Sequence, residues 1–183
     1  NDPYQGIPQG GYTQIFEKLL SGCDVQLNTD FLAEPERYRS LARKTVYTGT
    51  IDSYFGYCFG PLEYRGLRFE TEILDCRNYQ GVAVVNYTDR ETPYTRIIEH
   101  KHFEFGSQEK TIISREYPTA WEMGKEAYYP IDDSSNRETY TKYAQKAQGE
   151  TNVIFGGRLG QYRYFDMDDT ILEAQTRFQQ ENK

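Results

Sequence analysis

Residues 67–74 read Leu-Arg-Phe-Glu-Thr-Glu-Ile-Leu. Leu, Phe, Thr and Ile alternate here with the charged Arg and Glu side chains, and this alternation predicts a half-buried β-strand. Runs with the same period of two follow at 81–87, 94–103 and 111–117. Short polar connections such as Asp89–Pro93 join the runs, which favours antiparallel pairing because parallel strands need long crossovers. This part of the chain therefore predicts one mainly antiparallel sheet at the centre of the fold.

Shorter elements are predicted on both sides of this sheet. Apolar side chains recur at helical spacing from Tyr12 to Leu20, and the segments 34–44 and 134–148 also read as helices. The chain ends in a further predicted helix with Met167, Ile171, Ala174 and Phe178 on its apolar side. Short strands are predicted at Val25–Leu27, Thr45–Thr48 and Val153–Phe155. The fold class is therefore α+β, a mainly antiparallel β-sheet flanked by helices.

The composition argues against several classes of protein. The 183 residues hold 21 Lys and Arg against 28 Asp and Glu, and a net charge of −7 argues against nucleic-acid binding. No run approaches the roughly 20 apolar residues of a membrane span. The three cysteines have neither metal-binding nor redox spacing, which favours reduced thiols in a cytoplasm. The start, Asn1-Asp2-Pro3-Tyr4, has no secretory leader and no initiator Met, so we expect a segment of a longer chain.

Tyrosine is the unusual residue, with 17 copies in the chain. Because a tyrosine has an apolar body and a polar tip, this number suits a cleft for a small polar ligand. It also suits an antiparallel sheet in which tyrosine is simply a good strand residue.

The segment 152–172 carries the most informative pattern. A predicted strand ends at Gly156-Gly157, Arg158 follows, and a helix is predicted to begin at Asp166 with two more aspartates in its first turn. Glycines let a ligand or another backbone approach closely, and a helix N-terminus can hold an electron-rich group such as the pyrimidine edge of a flavin. The structural alternative is a glycine turn followed by an aspartate that caps the helix.

Two arginines lie inside the predicted strands. Arg96 and Arg115 each share a strand face with apolar and aromatic neighbours. A half-buried arginine needs an anionic or carbonyl partner, because an unpaired buried charge is costly. Glu99 and Glu116 are the candidate structural partners. If both arginines instead serve a diphosphate, we expect them to point into one tyrosine-lined concavity.

Two further groups of residues could carry chemistry. Tyr128-Tyr129-Pro130, with Tyr4 and Tyr164 elsewhere, offers neutral hydroxyl donors for a diphosphate or a sugar, or packs as ordinary loop residues. His100 and His102 would share a strand face, but no third ligand stands at a fixed spacing from them, so we expect no metal site.

A series of short stretches, in order along almost the whole chain, carries a resemblance to a known family. The stretches are Tyr4–Pro8 with Gly11-Tyr12, Val46–Gly49 with Ile51–Phe55, Arg68–Glu72, Val85–Tyr87, Pro93–Ile97, Arg115–Tyr117, Tyr128–Ile131, and Phe155–Gly160 with Tyr162, Tyr164, Asp166 and Met167. Each is unspecific alone, but the series resembles UDP-galactopyranose mutases of the bacterial type.

The resemblance implies a cytoplasmic isomerase that interconverts UDP-galactopyranose and UDP-galactofuranose through an adduct between the sugar and N5 of reduced FAD. The residues implied to bind the UDP diphosphate and sugar are Tyr4, Arg96, Arg115, Tyr128, Tyr129, Tyr164 and Asp166, with Arg96 adding positive potential in the cleft. The implied catalytic residue is Arg158, which would hydrogen-bond the flavin near N5. The other implied flavin contacts are Phe165, Asp166, Met167 and Asp168.

The sequence departs from the family pattern in lacking the glycine fingerprint for FAD and a helical region with a mobile loop. We therefore expect a helical segment at 1–44, the antiparallel substrate-binding domain with a peripheral helix at 45–151, and a strand–glycine–helix piece of the flavin-binding α/β domain at 152–183. Such a chain should not retain FAD and should be inactive alone. A non-catalytic module that binds sugar nucleotides is the alternative function, and a homodimer is left open.

Overall fold

The computed structural model describes residues 3–181 and contains seven strands and six α-helices in that range. The strands are β1 Thr45–Tyr47, β2 Tyr64–Leu74, β3 Val84–Asn86, β4 Arg96–Glu99, β5 Thr111–Ala120, β6 Tyr129–Pro130 and β7 Val153–Phe155. The helices are α1 Thr13–Leu19, α2 Pro35–Arg39, α3 Ile51–Tyr54, α4 Ser134–Ala147, α5 Gly157–Gly160 and α6 Met167–Glu181. None of the helices in the described range has the length and apolar character needed to cross a membrane.

The larger of two sheets has five strands in the order β3-β4-β5-β2-β6 and is mostly antiparallel. All four runs predicted from the period of two contribute a strand to it, which confirms the predicted sheet and the α+β class. The register places Arg96 opposite Glu116 and Ile97 opposite Arg115. Directly opposed residues share a face, and neighbours along a strand alternate between faces.

The third predicted strand is shorter than the sequence suggests. It ends at Glu99, and His100–Glu104 forms a 3-10 helix that closes with Phe105 in the left-handed region at a φ of 54°. The prediction that His100 and His102 share a strand face is therefore wrong. Val25–Leu27 forms no strand either, and α6 begins at Met167, one residue later than predicted.

The chain divides into two compact units. The first unit comprises residues 1–29 and 67–118, and in its sheet strands Ile97, Ile113 and Glu99 are fully buried. The functional division at residues 44 and 151 stays a prediction.

The second unit comprises residues 30–66 and 119–183. In it, β1 and β7 form a two-stranded parallel sheet, with Thr45 opposite Val153. Its core is a cluster of five buried residues: Ile51, Leu62, Tyr64, Tyr143 and Tyr162. Three of the five are tyrosines, so at least these three of the 17 serve packing, although only Tyr64 does so from a strand, as the structural reading of the composition predicted.

Candidate functional site

Arg158 is the centre of a cluster in the second unit. One terminal nitrogen of its guanidinium donates to the carbonyl oxygen of Tyr128 at 3.1 Å, and the other donates to that of Phe165. The guanidinium carbon lies 5.2 Å from the ring centroid of Tyr129 and 4.7 Å from that of Tyr164. The two rings are stacked on each other, with centroids 5.8 Å apart. We call these five residues the Arg158 cluster.

The glycines before Arg158 bring it into this position. Gly156 donates its backbone N–H to the carbonyl of Tyr47 at 3.0 Å, and Gly157 adopts a φ of +70°, which favours glycine. A Cβ atom added to Gly160 would lie 2.9 Å from the carbonyl oxygen of Tyr47. A close approach of another backbone is therefore seen at Gly160, whereas the nearest neighbours of an added Cβ atom at Gly156 and Gly157 are side-chain atoms at 3.7–3.8 Å.

The start of α6 continues the site. Asp166 directly precedes the helix, and its Oδ1 accepts a hydrogen bond from the hydroxyl of Tyr164 at 2.8 Å. This bond raises the pKa of Tyr164, since it is lost when the phenol ionises. Met167 and Asp168 stand exposed in the first turn, whereas the side chain of Phe165 is buried and offers only its carbonyl to the site.

The first unit holds the other predicted substrate residues, and it does not place the two arginines on one strand face. Because Arg96 opposes Glu116 while Arg115 opposes Ile97, their side chains leave opposite faces of the β4–β5 pair. The expectation of one shared concavity is therefore wrong. Tyr4 is 92% exposed.

One of the two candidate carboxylate partners, Glu116, pairs with an arginine, and the other, Glu99, does not. Arg96 lies 3.4 Å from Glu116, as the structural reading allowed, and also donates to Asn86 at 2.9 Å. Arg115 pairs with Glu72 at 2.9 Å, and this hydrogen bond is the main reason why the pKa of Arg115 is raised. Neither arginine uses Glu99.

The face that carries Arg115 is rich in aromatic residues. The rings of Tyr87, Tyr94 and Tyr117 are in edge-to-face contact, with successive centroids 4.9 and 5.9 Å apart. The guanidinium of Arg68 lies 4.1 Å from the centroid of Tyr117. Sequence reasoning gave no role to Arg68, although its period-two spacing within β2 is the signal that could have placed it on this face.

Comparison with known proteins identifies one family of sugar-nucleotide mutases. Residues 1–164 match the model of a family described as UDP-galactopyranose mutase. The chain is 40% identical over 177 residues to a Klebsiella pneumoniae protein named "Probable UDP-galactopyranose mutase", covering 95% of this chain and 45% of the relative.

Two further relatives have related names. The chain is 37% identical to the dTDP-fucopyranose mutase of Escherichia coli over 177 residues, 93% of this chain and 47% of that protein. It is 34% identical to the UDP-galactopyranose mutase of Mycoplasma pneumoniae over 196 residues, 96% of this chain and 48% of the relative. The chain thus spans about half the length of the curated relatives it matches. The family match covers most of the chain, and the chain belongs to the UDP-galactopyranose mutase family.

Proposed function

We propose that the protein acts as a sugar-nucleotide mutase that interconverts UDP-galactopyranose and UDP-galactofuranose with the help of reduced FAD. The observation that carries this proposal is the Arg158 cluster, in which a guanidinium is fixed by two carbonyls beside two tyrosine rings, in a chain of this family. An arginine held in this way is a preorganised donor, so the ligand spends no binding free energy on ordering its side chain.

The residues of the cluster fit the flavin that the family implies. Two terminal nitrogens of Arg158 donate to carbonyls, and a guanidinium has five N–H groups, so donors remain for a ring carbonyl or ring nitrogen. Met167 and Asp168 stand in the first turn of a 15-residue helix, whose leading N–H groups favour an electron-rich partner. When bound, reduced FAD supplies the electron-rich centre that the rearrangement of the sugar requires.

The remaining steps that we assign to this chain are binding and orientation. In the second unit, Tyr128, Tyr129 and Tyr164 offer hydroxyls to the diphosphate and the sugar. In the first unit, we assign Tyr4 and Arg115 to substrate binding, and a diphosphate at Arg115 takes over part of the role that Glu72 has in the structure. Asp166 orients the hydroxyl of Tyr164. Arg96 lies on the other strand face, so we assign it no direct contact with the diphosphate and only its positive charge.

The test is conversion of sugar nucleotides by the full-length protein with reduced FAD. Because a relative carries the name dTDP-fucopyranose mutase, UDP-galactopyranose and dTDP-fucopyranose should both be offered, and the furanose products separated by chromatography. We expect conversion of UDP-galactopyranose. Tight binding of UDP without conversion of either nucleotide would contradict the mutase proposal and favour a module that only binds sugar nucleotides.

A further inference from the structure

Tyr162 belongs to the core of the second unit and lies in the same stretch of chain as Arg158 and Tyr164. Its side chain is 8% exposed, and its ring contacts Tyr64 edge-on and Tyr140 in a stacked arrangement, at centroid distances of 5.4 and 5.7 Å. Its backbone adopts a φ of +45°, a left-handed conformation that is uncommon for a residue other than glycine. Such strain persists only where the surrounding structure enforces it, and functional sites are where it is found most often.

The hydroxyl of Tyr162 connects this segment to both strands of a sheet edge. It lies 2.6 Å from the carbonyl oxygen of Glu63, to which it donates, and 3.0 Å from that of Ile131. It also accepts the backbone N–H of Ile131 at 3.2 Å. One side chain therefore links the residue that follows β6 with the residue that precedes β2.

The strand that Tyr162 braces, β6, has few backbone hydrogen bonds of its own. β6 has only two residues, it lies at the edge of the sheet, and one of its residues is Pro130, which has no N–H to donate. Backbone hydrogen bonds from Tyr128 to Arg65 and from Ile131 to Glu63, both 3.1 Å, flank this pair. Few bonds thus fix the carbonyl of Tyr128 and the ring of Tyr129, which are the groups that Arg158 contacts.

The position of Tyr162 along the chain completes the argument. It stands two residues before Tyr164, and its hydroxyl binds the residue two positions after Tyr129. The hydroxyl of Tyr162 therefore joins the two segments that carry Tyr129 and Tyr164, two residues away from each ring of the stacked pair. We infer that Tyr162 is a positioning residue that sets the geometry of the Arg158 cluster; the part of this inference that concerns turnover rests on the proposed function.

The chain offers a matched control in Tyr143. This residue belongs to the same buried cluster, and its hydroxyl likewise accepts one backbone N–H, from Phe59 at 3.1 Å, and donates to one carbonyl, that of Gly60 at 2.7 Å. Its partners, however, lie far along the chain from the residues of the Arg158 cluster, whereas Ile131, which Tyr162 binds, stands two residues after Tyr129. Tyr162→Phe and Tyr143→Phe each keep a ring and remove one buried hydroxyl, so a purely structural role predicts the same consequences for both.

The first experiment measures turnover of UDP-galactopyranose by the full-length protein carrying either change, well below the midpoint of thermal denaturation. We expect similar falls in that midpoint for both variants, but a loss of kcat of roughly 10- to 100-fold only in Tyr162→Phe, because a misplacement of about 1 Å can cost that much. KM should change less than kcat. Equal kcat values in the two variants would overturn the inference.

The second experiment is independent of turnover. Nuclear magnetic resonance of the labelled Arg158 guanidinium reports its hydrogen bonds and its contact with the two rings. The signal should shift in Tyr162→Phe and stay in place in Tyr143→Phe. If the wild-type protein converts neither sugar nucleotide, the proposed function fails, and the Arg158 signal alone then decides the inference: an unshifted signal in Tyr162→Phe overturns it.

Discussion

At the scale of single residues, Glu99 shows how one buried carboxylate can organise a loop. Its side chain is fully buried, and it accepts hydrogen bonds from the backbone N–H groups of Tyr79 and Gln80, at 3.0 and 2.8 Å, and from the hydroxyl of Thr111 at 2.7 Å. Burial alone would raise the pKa of Glu99, but these bonds to the charged form lower it to about 2. The ionised carboxylate is thus a stabilising part of the first unit.

Replacing Glu99 by Gln should lower the free energy of unfolding at neutral pH by about 1–3 kcal/mol, because an amide cannot accept all of these bonds. The folded-state pKa is depressed, so the stabilisation is present above the ordinary pKa of 4.5 and is lost as the pH falls from there towards about 2. Urea denaturation at several pH values measures the difference. The exposed Glu109, which lies 3.8 Å from Arg77, provides the control Glu109→Gln, and an equal loss in both variants would contradict this account.

The proposed roles of Arg115 and Arg158 can be distinguished, because we assign Arg115 to the UDP diphosphate and Arg158 to the flavin. Arg115→Ala in the full-length protein should weaken UDP binding by about 10–150-fold, since charge-assisted hydrogen bonds are each worth about 1.5–3 kcal/mol, while the FAD content stays unchanged. Arg158→Ala should lower turnover more than UDP affinity, because its proposed partner is the flavin. Calorimetric titration with UDP, flavin absorbance and turnover are measured for both.

Exposed arginines in the same units provide the controls for this comparison. Arg77→Ala in the first unit and Arg163→Ala in the second remove the same charge from residues that have no assigned role; Arg163 lies over the ring of Phe165, 5.0 Å from its centroid. Unchanged UDP affinity in Arg115→Ala would return that residue to its structural pairing with Glu72.

At the scale of elements, Gly156, which lies between β7 and α5, and Gly160, the last residue of α5, should respond differently to alanine. Gly156 is extended at a φ of −128°, and a Cβ atom there would meet its nearest neighbour, in Val46, at an ordinary 3.8 Å. At Gly160 the added atom would lie 2.9 Å from a backbone oxygen of Tyr47. We expect Gly160→Ala to cost roughly 1–3 kcal/mol in urea denaturation and Gly156→Ala to cost less than about 1 kcal/mol. Equal stability of the two variants would contradict the close approach.

The sequence predicted the elements wherever a period repeated often enough. Four runs with a period of two predicted strands of the sheet, and helical spacing predicted α4 and α6. The buried face predicted for residues 67–74 is not seen, because Phe69 and Ile73 are 44% and 68% exposed. The end of β4 at Glu99 was missed, since the side chain of Glu99 binds the backbone 19 and 20 residues earlier in the chain. Partners at that distance leave no local signal.

At the scale of the whole molecule, the isolated 183-residue chain should neither retain FAD nor convert UDP-galactopyranose. We expect this because the chain spans about half the length of its relatives and its sequence contains no glycine fingerprint for the FAD diphosphate. The visible absorption band of bound flavin, sought in the purified chain, and a turnover assay with added reduced FAD test the expectation. A flavin-coloured, active preparation would contradict it.

The candidate site was predictable from the sequence only in part. The neighbourhood of Arg158, Tyr129 and Tyr164 follows from stretches that resemble the family, and the structure brings these residues together. The orientation of Arg96 relative to Arg115 was not predictable, because it depends on the register between two strands, and a shift of one residue moves a side chain to the other face.

The second unit is made of two stretches of chain, 30–66 and 119–183, and its parallel strand pair joins Thr45 to Val153. On the ribosome, β1 therefore emerges long before the strand that pairs with it. At roughly 5–20 residues per second, the intervening chain takes on the order of 5–20 seconds to synthesise. During this time Val46 and Tyr47 have no β7 to pair with, and the first unit is completed before the second can close. The order of translation thus makes residues 30–66 the part of the nascent chain that depends most on protection from misassembly.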